Sequence, residues 1–265
     1  MSGVPALSRH KGQLHKNYCE EALMKMKKVL WATLRRPEFE SAVKADGIVI
    51  IPVGSTEQHG NHLPINTDAN CCFTIAQRAA LLIDEFPVLV LPPIWTGYSP
   101  RHMSYPGSIS LKFHTFVELL TQVAASVHAH GFRKILFLNG HAGNSPAVAA
   151  MRNKLAAEEG VSCVGYNYWD LSSVLERMKI VSQSDKGFIG HSGEIETSLQ
   201  LYLQPELVDM DTATWVPGVW GDPSTGAREK GESIVNAAVN GLVKIIRDYH
   251  SGSLEEKSVF RKEIL

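Results

Sequence analysis

The sequence predicts an α/β fold with three layers, in which a mostly parallel sheet lies between two layers of helices (α/β/α). Short β-branched runs alternate with longer amphipathic segments along the 265 residues, which is typical of a parallel sheet covered by helices on both faces. No linker rich in Pro, Gly or Ser divides the chain. We therefore expect a single domain over residues 1–265, with residues 1–18 as an arm and residues 253–265 as a charged, mobile tail.

The strands are predicted from short, continuous apolar runs, which indicate burial on both faces of a sheet. The first run, Gly-Ile-Val-Ile-Ile-Pro-Val, stops at Gly54, and the second stops at Pro92. Glycine and proline interrupt strands in this way because neither continues a regular ladder well. Four strands are expected, at residues 47–53, 86–91, 134–138 and 161–166.

The helices are predicted from apolar residues that recur at a spacing of three or four. Pro37 is expected to interrupt the first helical pattern, Pro146 suits the first turn of a later helix, and Ser192 is a candidate N-cap. The segment 205–231 is rich in Pro and Gly and is expected to be a loop. The expected helices cover residues 19–44, 70–84, 113–130, 145–159, 192–203 and 233–249.

Composition excludes several classes of protein. The chain has 26 Lys and Arg against 27 Asp and Glu, so its net charge of −1 argues against nucleic acid or a membrane surface as the main partner. Its apolar runs are strand-sized and too short to cross a membrane. The four cysteines form no Cys-x-x-Cys pair, so we expect no thiolate zinc site and a reduced, cytoplasmic protein.

Three polar clusters carry the chemistry of the sequence. They occupy residues 55–62, 139–144 and 190–197; the first two directly follow predicted strands, and the third begins a predicted helix. The carboxyl ends of parallel strands meet at the edge of the sheet where ligands bind. Together with Asp68, the clusters combine imidazoles and carboxylates, which suit Zn, Mn or Fe, and two such ions form a hydrolytic centre. A hydrogen-bonded loop network with Asp68 as a helix cap is the alternative that the residues alone leave open.

Four motifs resemble those of the creatininase (creatinine amidohydrolase) family, over roughly residues 45–205. They are Pro-Val-Gly-Ser-Thr-Glu-Gln-His-Gly at 52–60, with His-Leu-Pro at 62–64 and Thr-Asp at 67–68; Gly-Tyr-Ser-Pro at 97–100, with His-Met at 102–103 and Pro-Gly at 106–107; Asn-Gly-His-Ala-Gly-Asn at 139–144; and His-Ser-Gly-Glu-Ile-Glu-Thr-Ser at 191–198. The resemblance implies a creatininase-like α/β/α fold, a homo-oligomer of hexameric size and two divalent metal ions.

The resemblance also implies a ligand set. By motif position, Glu57, Asp68 and His141 hold one metal ion, and His59 and Asp68 hold the other, so that Asp68 bridges the two. Creatininase has a further glutamate ligand two residues after the second-motif histidine, at the position of Gly143 in this sequence.

The third cluster offers a replacement for that ligand. Glu196 is our choice for the missing position, with Glu194 as the alternative. His191 stands close to both carboxylates in sequence, so we expect His191 and Glu194 to have catalytic roles, with His191 transferring a proton to the leaving group. Acidic residues in a first helical turn are also favourable through the helix dipole alone, which is the alternative reading for one of them.

The predicted activity is metal-dependent hydrolysis of a small polar carbonyl substrate. The resemblance favours a cyclic amide or a formamide. However, Ala142 replaces a tyrosine that lines the creatininase substrate site, and Gly190 replaces a glutamate. These departures keep open a second branch of the family, which hydrolyses a C–C bond in cyclic polyol ketones related to inosose and serves inositol catabolism. A non-catalytic small-molecule-binding module is a further alternative. The residues expected to line the pocket, unless they only pack as aromatic core, are Trp95, Tyr98, His102 and Trp169.

Overall fold

The computed structural model describes residues 28–184 and 188–254. Three predicted segments lie outside these ranges: the arm, the helical pattern of residues 19–27, and the tail from residue 255 onward. Within them, four parallel strands form one sheet in the order β2-β1-β3-β4. The strands are β1 (Ile48–Val53), β2 (Val88–Val90), β3 (Lys134–Asn139) and β4 (Val164–Asn167).

Helices cover both faces of this sheet, so the predicted three-layer α/β/α fold is confirmed. One face packs against α2, α5, α6 and α7, and the other packs against α1, α3 and α4. Alternate side chains of β1 enter the two cores, since Ile50 faces the first and Ile51 the second. The helices are α1 (Arg36–Lys44), α2 (Thr67–Ala80), α3 (Phe113–Ala129), α4 (Ser145–Glu159), α5 (Ser172–Val181), α6 (Glu194–Leu203) and α7 (Arg228–Ser251).

The strand order creates a switch point between β1 and β3. The chain moves outward from β1 to β2 and then crosses back to β3 on the other side of β1. The helix that follows β1 packs on one face of the sheet and the helix that follows β3 packs on the opposite face. The two loops therefore diverge and leave a crevice beyond the carboxyl ends of the central strands. None of the helices in the described ranges has the length and apolar character needed to cross a membrane.

Two predictions about helix boundaries are wrong, one at Pro37 and one at Ser192. Pro37 lies in the first turn of α1, where its missing N–H costs nothing, so it begins a helix and does not interrupt one. Residues 31–33 before it form a 3₁₀ turn. Ser192 is not an N-cap: α6 begins at Glu194, and Ser192 adopts a left-handed φ of 55°. Its amide points to the Glu196 carboxylate.

Three further elements differ from the prediction in their extent. Helix α5 was not predicted, and α7 begins within the expected loop, at Arg228. Both helices contribute buried residues to the same core, with Val174 and Met178 on α5 and Ile234 on α7. The fourth strand begins at Val164, three residues later than expected, because Val161 and Cys163 pack into the second core instead of pairing in the sheet.

Candidate metal centre

The three polar clusters meet at the crevice between β1 and β3. Glu57 and His59 lie on the loop after β1, and His141 lies directly after β3. Asp68 occupies the first turn of α2, and Glu196 occupies the first turn of α6. Helix N-termini favour carboxylates at these two positions because the backbone N–H groups carry partial positive charge.

A close backbone approach brings the second cluster against α2. A Cβ atom at Gly140 would lie 2.3 Å from the backbone oxygen of Asp68, so only glycine allows this distance. The amide of Gly140 also donates to the backbone oxygen of Val53, 2.8 Å away, which fixes the start of the loop beside β1. These contacts place His141 next to the Asp68 carboxylate.

The Asp68 carboxylate lies at the centre of the cluster. Its Oδ1 is 3.2 Å from Nε2 of His59, and its Oδ2 is 3.2 Å from Nδ1 of His141. Glu57 Oε1 lies 3.2 Å from the same His141 nitrogen, and Glu196 Oε2 lies 3.5 Å from Nε2 of His59. Asp68 therefore faces one imidazole and one further carboxylate on each side.

Both imidazoles are held by their outer nitrogens. Nδ1 of His59 donates to the backbone oxygen of Glu57 at 3.1 Å, and Nε2 of His141 donates to the backbone oxygen of Tyr98 at 3.3 Å. Backbone carbonyls only accept hydrogen bonds, so the inner nitrogen of each neutral ring carries a lone pair. Hydrogen bonds from the outer nitrogen to a backbone carbonyl orient imidazoles as metal ligands.

The inner atoms of the cluster lack hydrogen-bond partners. Within the described residues, Nε2 of His59, Oε1 of Glu57 and Oδ2 of Asp68 are buried and unpaired. A buried unpaired polar atom costs about 1–3 kcal/mol, and more when it is charged. Three sets of ligand atoms each lie within 4.8 Å of one another: Glu57, Asp68 and His141; His59, Asp68 and Glu196; and Glu57, His59 and His191. The donor set therefore fits divalent cations such as Zn or Mn.

The electrostatics of the cluster also favour bound positive charge. Burial disfavours protonation of His141, but the Asp68 and Glu57 carboxylates outweigh it and raise the pKa of His141 to about 10. In the same way, Asp68 and Glu196 overcome burial and raise the pKa of His59 well above its usual value. Burial raises the pKa of Asp68, but His59 and His141 lower it overall. Three buried carboxylates thus attract cations to this point.

A cavity of about 360 Å³ opens over the cluster. Tyr98, His102 and Trp169 line it, as the sequence predicts. Trp95 does not: its side chain is 54% exposed, and its backbone oxygen accepts a hydrogen bond from Thr56. Trp95 precedes the 97–100 motif in the sequence, so no motif position indicated the direction of its side chain.

Three residues of the site were missed by the sequence analysis. The Ser99 hydroxyl donates to Oε2 of Glu57, which leaves Oε1 facing the cluster. The Gln58 side chain contacts His102 and His191. Trp220 lines the pocket from the 205–231 segment, in which the sequence shows no motif. Gln58 and Ser99 stand inside the quoted motifs, so their sequence positions were a usable signal, whereas Trp220 arrives only through pairing of its backbone with His191.

Glu194 does not join the cluster. Lys230 donates to its Oε1 at 2.5 Å, and the hydroxyls of Ser182 and Ser184 donate to its Oε2 at 2.8 Å. The backbone amide of Gln183 also reaches the carboxylate. Burial raises the pKa of Glu194, but Lys230 and these hydrogen bonds lower it to about 2. Glu194 thus joins α6 to α7 and the 182–184 segment, and its predicted place in catalysis is corrected to this structural contact.

Gly143 lies against the His141 ring and leaves no room for a side chain in this structure. A Cβ atom there would lie 2.4 Å from Nε2 of His141 and 2.7 Å from the backbone oxygen of Tyr98. A side chain at this position would displace the histidine ring. Glu196 brings its carboxylate to His59 from the opposite side, so of the two glutamates considered from sequence only Glu196 lies in a set of candidate ligands.

The fold and the cluster define a class: an α/β protein with a buried imidazole and carboxylate metal centre under a small pocket. The creatininase family model, described as creatinine amidohydrolase, matches residues 32–246. The chain belongs to the creatininase family and is a metal-dependent hydrolase. A purely non-catalytic binding module, considered from sequence, is therefore set aside.

Named relatives span several reactions. The chain is 30% identical to creatinine amidohydrolase of Pseudomonas putida, over 84% of this chain and 97% of the relative. It is 31% identical to 3-dehydro-scyllo-inosose hydrolase of Thermotoga maritima, over 70% of this chain and 59% of the relative. It is also 31% identical to the mycofactocin precursor peptide peptidase of Mycolicibacterium smegmatis, over 76% of this chain and 84% of the relative. Family membership therefore leaves the substrate open.

A solved structure shares the fold. A chain described as "Creatininase Mn" has a TM-score of 0.74 and 29% identity, over 83% of this chain and 98% of that chain. Because the match covers 83% of this chain, it includes the sheet and helices on both of its faces.

Proposed function

We propose that this protein is a dimetal amidohydrolase that opens a cyclic amide or cleaves a small formamide. The observation that carries the proposal is the position of Asp68, whose two oxygens face His59 and His141 in two different sets of ligand atoms. A carboxylate placed in this way suits a bridge between two cations. The cavity of about 360 Å³ above it has the size of small-molecule pockets.

The proposed ligands divide between two sites. Glu57, Asp68 and His141 would hold one ion, and His59, Asp68 and Glu196 would hold the other. Divalent ions such as Mn, Zn or Fe would supply Lewis acidity, which acidifies water and polarises a carbonyl oxygen.

The protein residues around the ions position the substrate and move protons. Trp169 is buried and Tyr98 is partly buried against the pocket, so together they exclude water from one side of it. His191 is buried with Nδ1 3.5 Å from Oε1 of Glu57, and we assign proton transfer to this nitrogen. Nδ1 of His191 takes a proton from the attacking water and then donates this proton to the leaving nitrogen of the substrate. Without that proton the nitrogen would leave as an unstable anion.

A second candidate is hydrolysis of a C–C bond in a cyclic polyol ketone. The similarity to an inosose hydrolase supports it, as do Ala142 and Gly143, which leave the pocket wall small where a ring with several hydroxyls would lie. Both reactions begin with addition of water to a carbonyl, so one metal centre could catalyse either reaction.

The proposed cytoplasmic location and homo-oligomeric, hexameric state remain predictions from the sequence.

A substrate panel tests the proposal. Protein loaded with Mn, and separately with Zn, is assayed with creatinine, hydantoins, formamidopyrimidines, keto-inositols and a short peptide, with bound metal counted by elemental analysis. We expect turnover of a cyclic amide or formamide, two ions per chain, and loss of both in Asp68→Asn. Turnover of keto-inositols alone would establish the second candidate, and turnover of the peptide alone would refute both.

A further inference from the structure

We propose that His102 binds the substrate by donating a hydrogen bond from Nε2, and that Gln58 fixes the proton on that nitrogen. The choice of an amide acceptor rests on the proposed function, whereas the position of the proton does not. Neither role was assigned by the sequence motifs. The hydrogen-bond donors and acceptors around Gln58 determine where the protons of both rings lie.

The orientation of the Gln58 amide is determined by two backbone groups. The N–H of Gly60 lies 2.9 Å from Oε1, and the carbonyl of Gly218 lies 2.8 Å from Nε2. Because a backbone N–H only donates and a carbonyl only accepts, the oxygen and nitrogen of the side chain cannot be exchanged. One of the two amide protons is therefore committed to Gly218.

The backbone of Gln58 then determines the state of His191. Nε2 of His191 lies 2.9 Å from the backbone oxygen of Gln58, so this nitrogen carries a proton and donates it. The amide nitrogen of Gln58 also lies 3.1 Å from Nε2 of His191, but two donors form no hydrogen bond. His191 therefore presents the lone pair of Nδ1 to the cluster.

Among the residues that the structure describes, the second amide proton has one remaining acceptor, Nδ1 of His102, which lies 2.9 Å away. An Nδ1 that accepts a hydrogen bond carries no proton, so the proton of the ring is on Nε2. That nitrogen points to the cluster, 3.5 Å from Oε1 of Glu57, and His102 lines the pocket. It is 6% exposed, so its direction is set by packing and not by solvent.

The two rings lie side by side but offer opposite groups to the pocket. Their centroids are 4.4 Å apart. His191 offers an acceptor at Nδ1 and His102 offers a donor at Nε2. A substrate with a carbonyl oxygen or an acceptor nitrogen is held by the His102 donor, while the neighbouring lone pair of His191 is free to take a proton. Gln58 is a positioning residue, since it acts only through the two rings.

The proton positions are tested by nitrogen-15 NMR of the zinc-loaded protein with labelled histidine. Long-range proton–nitrogen correlations distinguish a protonated ring nitrogen from one with a lone pair, and His102→Gln identifies the His102 signals. We expect Nε2–H in the wild type. Gln58→Glu places a hydrogen-bond acceptor beside Nδ1, so we expect the ring proton to move to Nδ1 in this variant. Gln58→Met, which has neither an amide donor nor a carboxylate acceptor at this point, is the control. A wild-type His102 that is protonated on Nδ1 overturns the proposal whether or not the Gln58 variants fold.

Substrate contact is tested by two readouts. Addition of acetamide, an amide probe, is expected to shift the His102 Nε2 signal, and absence of a shift at every concentration overturns the contact. With the substrate found by the panel, His102→Phe is expected to lower kcat/KM by about 10²-fold at unchanged zinc content, with partial recovery in His102→Gln. The exposed neighbour Met103→Gln is the matched control. If no panel compound is turned over, the proposed function fails while the NMR result still decides this proposal.

Discussion

Replacement of Glu194 and of Glu196 by Gln should separate a residue that stabilises the fold from one that holds metal. The two glutamates are two residues apart in the sequence of α6, and both are buried. Because residues at this spacing do not share a face of a helix, their carboxylates point to different partners. Glu196 faces His59 at 3.5 Å, whereas Glu194 faces Lys230 at 2.5 Å. The same substitution at both positions should therefore change different properties.

The structure gives the size of the Glu194 effect. Glu194→Gln places an NH₂ group among the Lys230 ammonium, two serine hydroxyls and two backbone amides, all of which donate. Hydrogen bonds to charged groups contribute about 1.5–3 kcal/mol each, and removal of one partner of a buried ion pair costs about 3–5 kcal/mol. We expect a loss of about 3 kcal/mol in the free energy of unfolding and a Tm lower by about 6–12 °C. Metal content should be unchanged.

Glu196→Gln should give the opposite pattern. It removes an anionic ligand, so we expect the affinity of one metal site to fall at least about 100-fold, which is the upper range for loss of a residue that only hydrogen-bonds to a ligand. The Tm in the presence of chelator should be equal to or above that of the wild type, because the buried negative charge of the cluster is reduced. Metal analysis with and without chelator, combined with thermal unfolding, measures both properties. A Glu194→Gln protein that lost metal and kept its Tm would refute the reasoning.

Three further predictions follow from single contacts. Asp68→Ala should lose both metal ions, and one retained ion with activity would exclude a bridging role. Gly143→Ala should weaken the metal site of His141, since its Cβ would lie 2.4 Å from that ring; calorimetric metal titration measures this, and wild-type affinity would contradict it. Glu194 has a folded pKa of about 2 against 4.5, so its stabilisation is present above pH 4.5 and is lost as pH falls to 2. Glu194→Gln should therefore flatten the decline of Tm over that range, and an unchanged slope would contradict the assignment.

The outline of the site could be predicted from sequence because its parts stand at strand and helix ends. Glu57, His59 and His141 follow β1 and β3 directly, and parallel strands carry whatever follows them to one edge of the sheet. Asp68 and Glu196 stand in first helical turns, which also face that edge. Local patterns of hydrophobicity and the positions of glycine and proline placed the first two clusters at one edge of the sheet, and the resemblance to the creatininase motifs added Asp68 and Glu196 to the same site.

Side-chain direction was not predictable in the same way. Glu194 and Glu196 belong to one motif, and their spacing of two on a helix predicts that they point in different directions. It does not show that Glu194 pairs with Lys230 on α7 and that Glu196 faces His59. Trp95 and Trp220 show the same limit, since one leaves the pocket and the other enters it through a distant backbone pair with His191. These outcomes depend on packing between elements that are far apart in sequence.

The sequence by itself determined the α/β/α layers, the residue types of the metal centre and membership in a hydrolase family, because periodicity and short motifs are local properties. The tertiary structure alone decided which glutamate joins His59, and where the protons of His102 and His191 lie. The His102 proton position follows from the carbonyl of Gly218 and the amide of Gly60, which orient the Gln58 side chain. The His191 proton position follows from the backbone carbonyl of Gln58. A hydrogen-bond donor and its acceptor are defined only when the chain has brought them within about 3 Å.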